Sequence, residues 1–217
     1  MKPNLFLKCL ALVGLPGIAM AAALFDPNSQ PIGYVARPTP SNFNVSGGAE
    51  SVYLLDFDYN TGNLHKLPVS ADGVISGADS WVGGAAAKLD AMNYDTARYI
   101  VTLKDDGTEI PFRWDSLSAD QQATLGDATN GPKVLNYVRG NRDDEPVNGG
   151  TFRARSTVMG DIIHSTPLYY KHATAPTVFA SANDGMVHAI NASTGAERFA
   201  FIPPQLISRL ATLASAS

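Results

Sequence analysis

From Ser51 onward the chain is cut into short pieces, and no apolar or alternating run goes far before a Gly, Asp, Asn or Pro ends it. Such runs occupy residues 52–55, 64–69, 99–103, 168–170, 178–180, 186–190 and 198–202. They are too brief for the repeated turns of a buried helix, whereas short alternating runs closed by turn residues are the pattern of antiparallel strands. Two helical islands interrupt the texture. Ser118 followed by Gln121 makes a capping box for a short helix toward Leu125, and Pro132 stands in the first turn of a helix through Val138, with Gly140 as its stop. Residues 75–150 therefore read as an elaborated connection with small helices.

The first fifty residues have a different character. Residues 1–23 place Lys2 and Lys8 around the start of an apolar run, Leu10 to Met20, that ends in Ala21-Ala22-Ala23. A basic n-region, a short h-region and an Ala-x-Ala site are the parts of a secretory signal peptide, and the run is too short to span a bilayer stably. Cleavage is expected after Ala21 or Ala23. Residues 24–50 read as an extended linker, carrying Pro27, Pro31, Pro38, Pro40, Gly47 and Gly48 among few large apolar side chains. Cys9 is the only cysteine and lies in the leader, so the mature domain must hold together without disulfides. Leu7 and Lys8 before it do not form a lipobox.

Charge excludes one class of partner. The chain has 16 Lys+Arg against 20 Asp+Glu, a net −4, and loses two more positive charges with the leader. Nucleic-acid binding needs a basic face that displaces counterions, and none is present. The basic cluster Arg139, Arg142, Arg153 and Arg155 is interrupted by Asp143, Asp144 and Glu145, which reads as a solvated or ion-paired loop. No membrane span is expected after leader removal.

One internal repeat is present. Gly62 to Ser70 lines up with Gly185 to Ser193, matching Leu64 with Val187, His65 with His188, Leu67 with Ile190 and Ser70 with Ser193. Each copy follows a Val-aromatic pair, Val52-Tyr53 or Val178-Phe179, and ends at a turn, Asp72-Gly73 or Thr194-Gly195. The copies stand farther apart than a propeller blade of ~40–50 residues, which implies one unit carrying a large insertion.

Three groups of residues could carry chemistry. Asp56, Asp58 and Asn60 alternate ahead of Gly62 as the oxygen ligands of a calcium loop do, but the glycine falls one place late and Leu67 stands where a bidentate Glu would be. A polar turn closing a hairpin is the competing reading, and the stronger one. Asp161, His164 and Ser165 include the residue types of a hydrolase triad, yet side by side they suit backbone bonding at a strand entry better than convergent catalysis. His65 and His188 share a repeat position, which favours packing, His172 stands in a polar loop, and no pair has zinc-ligand spacing.

Three blocks carry a resemblance: Phe152-Arg153-Ala154-Arg155-Ser156, Gly160-Asp161-Ile162-Ile163-His164-Ser165-Thr166-Pro167, and Ala182-Asn183-Asp184-Gly185-Met186-Val187-His188-Ala189, followed by Gly195. Together they resemble the start of the β-propeller domain of the PilC/PilY type IV pilus biogenesis proteins. Weaker matches upstream include Trp81, Pro111-Phe112-Arg113-Trp114, Leu135-Asn136-Tyr137-Val138-Arg139-Gly140 and Glu145, so about three quarters of the chain is covered. The resemblance implies a mainly β fold, a partial β-propeller of quinoprotein-like blades with short helical insertions, over residues 51–217. It also implies an exported, non-enzymatic tip or assembly protein of the periplasm, outer membrane or pilus tip of a Gram-negative bacterium. Its partners would be pilus subunits, chiefly minor pilins, with host or abiotic surfaces as adhesion targets and calcium as a cofactor of the full-length domain. A stable propeller needs at least ~4 blades, so the chain is expected to be a fragment, a truncated frame or one part of a split protein. A piece of a pyrroloquinoline quinone dehydrogenase, which shares the Asn183-Asp184-Gly185 to Thr194-Gly195 unit, and a remnant without independent function are the alternatives.

Overall fold

In a computed structural model, which describes residues 39–40, 50–58, 61–75 and 78–215, the breaker-bounded runs become strands of two sheets. β1 (Thr39–Pro40), β2 (Glu50–Asp58) and β3 (Thr61–Val69) form an antiparallel sheet in that order. Its hairpin pairs Glu50 with Val69 at one end and Asp58 with Thr61 at the other. Alternation selects its inner face: Tyr53 and Leu55 are buried there together with Leu64, which lies opposite Leu55.

The second sheet has six strands. β4 (Ile100–Leu103) and β5 (Glu109–Pro111) make a short hairpin, while β6 (Leu168–Tyr170), β7 (Thr177–Ser181), β8 (Val187–Asn191) and β9 (Glu197–Phe201) make an antiparallel meander. The two join where β4 pairs parallel to β9, Ile100 opposite Ala200, giving the order β5–β4–β9–β8–β7–β6. The meander's tight turns need glycine: Gly185 (φ 87°) and Gly195 (φ 77°) sit in the left-handed region that other residues enter only with strain.

Helices supply the rest of the core. They are α1 (Gly84–Asp90), α2 (Ala119–Leu125), α3 (Gly131–Arg139) and α4 (Ile207–Ala214). The capping box forms as expected: the Gln121 amide donates to Ser118 Oγ at 3.2 Å, and the Ser118 amide donates to Gln121 Oε1 at 3.1 Å. Pro132 occupies the first turn of α3, which ends at Gly140 (φ 119°). One apolar cluster joins α2, α3 and α4 to β4 and β9 through Phe112, Leu125, Leu135, Ile202 and Leu210. The other joins the β2–β3 hairpin and α1 to β7 and β8 through Tyr53, Leu64, Trp81, Leu89, Val178 and Ile190. Each large apolar side chain buried this way contributes roughly 1.5–3 kcal/mol.

Among the described residues strand takes about 27% and helix about 25%, so the fold is mixed rather than mainly β. The difference has a physical source: the connection between β5 and β6 is part of the core, because α2 and α3 bury one face each against the sheet and α4. No closed propeller or barrel is found among the described residues. The meander β6–β9 is a four-stranded antiparallel unit of the kind blades are made from, but β4 extends it in parallel. The leader at 1–23 lies outside the described residues. Of the range read as linker, Thr39, Pro40 and Glu50 are described, and all three are in strands. No helix among the described residues is long and apolar enough to cross a membrane.

Candidate functional site

The three motif blocks, separate in sequence, meet around one cleft of about 60 Å³. Phe152 and Arg153 are pinned by their backbone: the Phe152 amide donates to the Asp144 carbonyl, and the Arg153 amide to the Ala214 carbonyl at the end of α4. Phe152 also packs edge-on to Tyr137, ring centroids 5.5 Å apart. The second block is tied to the third twice. The Gly160 amide donates to Asp184 Oδ2 at 3.0 Å, and the Asn183 amide donates to the Asp161 carbonyl at 2.8 Å. Glycine is required at 160 because a Cβ there would stand 2.5 Å from the Asp184 amide nitrogen. Arg153, Arg155, Asp161, Asn183 and Asp184 line the cleft.

Beneath the cleft runs a chain of buried charges. Asp184 Oδ2 lies 2.9 Å from His188 Nε2, His188 Nδ1 lies 2.7 Å from Glu197 Oε1, and Arg98 Nε donates to Glu197 Oε2 at 2.9 Å. A second guanidinium nitrogen of Arg98 donates to the Arg139 carbonyl at 2.8 Å, near the end of α3. His188, Glu197 and Arg98 are almost wholly withdrawn from water. Burial alone would depress the His188 imidazole, but the carboxylates of Asp184 and Glu197 outweigh it and push the ring up to about 9. Burial works against ionised Glu197 as well, and Arg98 with His188 overcomes it and brings the carboxyl down to about 2. Asp184 is likewise lowered, desolvation being overcome by His188 and the Gly160 amide. At neutral pH the four groups are two cations and two anions, a neutral set in which each charge is paired.

A second network holds the first block. Arg155 donates to Glu145 Oε1 at 2.9 Å and to the carbonyls of Tyr137 and Asn141, and its guanidinium lies 3.7 Å from the Tyr137 ring centroid. Arg142 also donates to Glu145 Oε1, at 3.2 Å. Two members of the interrupted basic cluster, Arg142 and Arg155, are thus ion-paired around buried Glu145. Arg139 is buried differently, donating to the carbonyls of Phe112 and Tyr94, and desolvation first, then Arg113 and Arg98, bring it down to about 10.

The remaining sequence candidates separate from the cleft. His164 is exposed, Ser165 Oγ accepts from the Ser181 amide at 3.0 Å, and Pro167 is buried just ahead of β6. Ser165 thus bonds backbone at a strand entry, as the structural reading of that motif expects. Asp56 stands 3.9 Å from His65 Nε2 across the hairpin, whereas Asn60 and the side chain of Asp58 lie outside the described residues. Among the described residues no group of three His, Cys, Asp or Glu could hold a metal ion. The repeat has a physical counterpart, since each histidine sits between two carboxylates. His65 Nδ1 is 2.7 Å from Asp79 and its Nε2 faces Asp56, while His188 has Glu197 and Asp184. The sequence reading missed Arg98 and Glu197. Arg98 is a single charge at the mouth of an apolar run, two residues ahead of Ile100, and Glu197 stands with Arg198 ahead of Phe199; that placement is the available signal.

No family model and no solved structure matches the chain. Among curated proteins it is similar to the type IV pilus biogenesis factor PilY1 of Pseudomonas aeruginosa strain PAK, 33% identical over 161 residues that cover 58% of this chain and 14% of that protein. The PilY1 of strain UCBPP-PA14 is 30% identical over 169 residues, 61% of this chain and 14% of the relative. A PilY1 homologue of Xylella fastidiosa strain Temecula1 is 36% identical over 108 residues, 38% of this chain and 9% of the relative. The resemblance to PilC/PilY type IV pilus biogenesis proteins is thereby borne out, and the chain spans about a seventh or less of the length of these relatives.

Proposed function

We propose that this chain acts in type IV pilus biogenesis, as an exported, non-enzymatic part of an assembly factor whose sheets and loops form a binding platform. The observation that carries this reading is the 30–36% identity to PilY1 biogenesis factors. Its partners are pilus subunits, chiefly minor pilins, and its place is the cell envelope or pilus tip of a Gram-negative bacterium, where it serves adhesion or surface motility. The disposition of the motif residues supports a binding role over a catalytic one: Asp184 and His188 are engaged with each other, with Glu197 and with the Gly160 amide, and Arg155 with Glu145 and backbone carbonyls. A general acid or base needs access to a substrate proton, and His188 has none of its surface in solvent. The calcium implied by the resemblance is proposed for the full-length domain, and no residue of this chain is nominated for it.

Deletion of the reading frame in its source organism tests the proposal. Surface pili counted by electron microscopy and the spread of surface motility are both expected to fall sharply and to return on complementation. An unchanged pilus count in the deletion strain would sink the reading.

A further inference from the structure

The two edges of the six-stranded sheet are built differently. At one edge, β5 exposes the charge of Glu109 and ends in Pro111, which has no N–H to offer. Charge and proline on an edge strand are devices that stop it pairing with a further chain. At the other edge, β6 reads Leu168-Tyr169-Tyr170, without charge, proline or bulge. Among the described residues its backbone bonds only to β7. Leu168 and Tyr170 point to one face, 56% and 55% exposed, while Tyr169 points to the other and stacks on Tyr53. The exposed pair continues inward across the sheet, because Leu168 lies opposite Phe179, whose ring meets Phe199 at 6.4 Å. Just past the strand, Lys171 and His172 are exposed, residues 171–176 hold no carboxylate, and Lys171 has no ion pair among the described residues.

We propose that β6 is a docking edge for an extended segment of a partner polypeptide. That segment carries apolar side chains at alternate positions and is flanked by an acidic residue that meets Lys171. Main-chain hydrogen bonds to β6 supply the affinity, and the row Leu168, Tyr170 and Phe179 selects for apolar side chains on one face of the incoming strand. Lys171, without an ion pair among the described residues, selects the flanking carboxylate. That this partner is a pilus component rests on the function proposed above, but the docking edge itself does not.

The probe is a fluorescein-labelled peptide, Glu-Thr-Ile-Thr-Ile-Thr-Ile-Glu, titrated with the purified chain and read by anisotropy. Saturable binding is expected, with at least tenfold weaker binding for Tyr170→Lys, for the peptide N-methylated at alternate residues, and for the peptide with Lys in place of both Glu. Tyr170 is exposed, so the variant should keep the melting temperature of the parent chain. Equal binding of the N-methylated peptide, or binding indifferent to Tyr170→Lys, overturns the proposal. So does a concentration-dependent dimer in sedimentation that Tyr170→Lys disperses, because a second copy would then occupy the edge. A failed titration alongside lost pili in the deletion strain overturns the docking edge alone, and a successful titration alongside normal piliation overturns only the pilus assignment.

Discussion

His188 bears on pH more directly than any other side chain, because each of its ring nitrogens faces a carboxylate and none of its surface meets water. Its pKa is raised from 6.5 to about 9 in the folded protein, so its contribution to stability is fully present below 6.5 and is lost as pH rises through about 9. Glu197 runs the other way. Its carboxyl falls from 4.5 to about 2, so its contribution is present above 4.5 and is lost as pH drops through about 2. Urea midpoints measured from pH 3 to 10 should therefore show a plateau between about 4.5 and 6.5, with an alkaline decline on the order of 3 kcal/mol. Asp184→Asn keeps an acceptor for the Gly160 amide but removes one of the two negative partners of His188. The variant should lose roughly 1–3 kcal/mol at pH 6, and its alkaline decline, which starts near 6.5 in both proteins, should be shallower and level off at lower pH than the parent's. An alkaline limb of the same depth in both proteins would mean that Asp184 does not hold the proton on His188.

The meander turns are where elements depend on single residues. Gly195 and Gly107 both hold φ near +80°, so an alanine at either position carries the cost of left-handed backbone, about 1 kcal/mol. They differ in surroundings: a Cβ at Gly195 would stand 2.7 Å from the Trp81 ring, while a Cβ at Gly107 meets nothing within 4 Å. Gly195→Ala should thus lower stability by about 1–3 kcal/mol more than Gly107→Ala, measured as the difference between their denaturant midpoints. Equal losses would show that the Trp81 ring moves aside without cost. Elements of this kind were legible because their signals are local. The hairpin at Gly62, the capping box at Ser118, the stop at Gly140 and the strands 168–170, 178–180, 186–190 and 198–202 are set by neighbours a few residues away. The helix α4 was not anticipated, although Ile207, Leu210 and Ala214 have helical spacing, because eight residues give periodicity little room to stand out. The motif residues of the cleft were named from the sequence, but their partners Arg98 and Glu197 were not, since each finds the other across 99 residues of chain.

What no local signal could specify is how the pieces join. The parallel contact of β4 with β9 links Ile100 to Ala200, and through it the helical core and the hairpin core come to share one sheet. β8 and the turn before it serve both cores, with Met186 in the first and Ile190 in the second, so neither core can lose its sheet without uncovering the other. The Arg98–Glu197 pair reinforces the junction: it ties the approach to β4 to the start of β9 and holds the Arg139 carbonyl near the end of α3. One cooperative unfolding transition follows from this geometry, and the chain contains the means to observe it. Its two tryptophans report separate cores, Trp81 buried in the hairpin cluster and Trp114 packed against the helical one. Trp81→Phe breaks no hydrogen bond within the described residues, because the Trp81 indole N–H has no partner among them. Fluorescence of the Trp81→Phe and Trp114→Phe variants, each corrected for its own stability by circular dichroism, should give coincident denaturant transitions. Arg98→Met leaves the carboxylate of Glu197 buried with only His188 beside it, at a cost of about 3–5 kcal/mol. Both tryptophan signals should then shift together by that amount. A shift confined to Trp114, with the Trp81 transition unmoved, would mean that the hairpin core folds independently and that the shared sheet does not couple them.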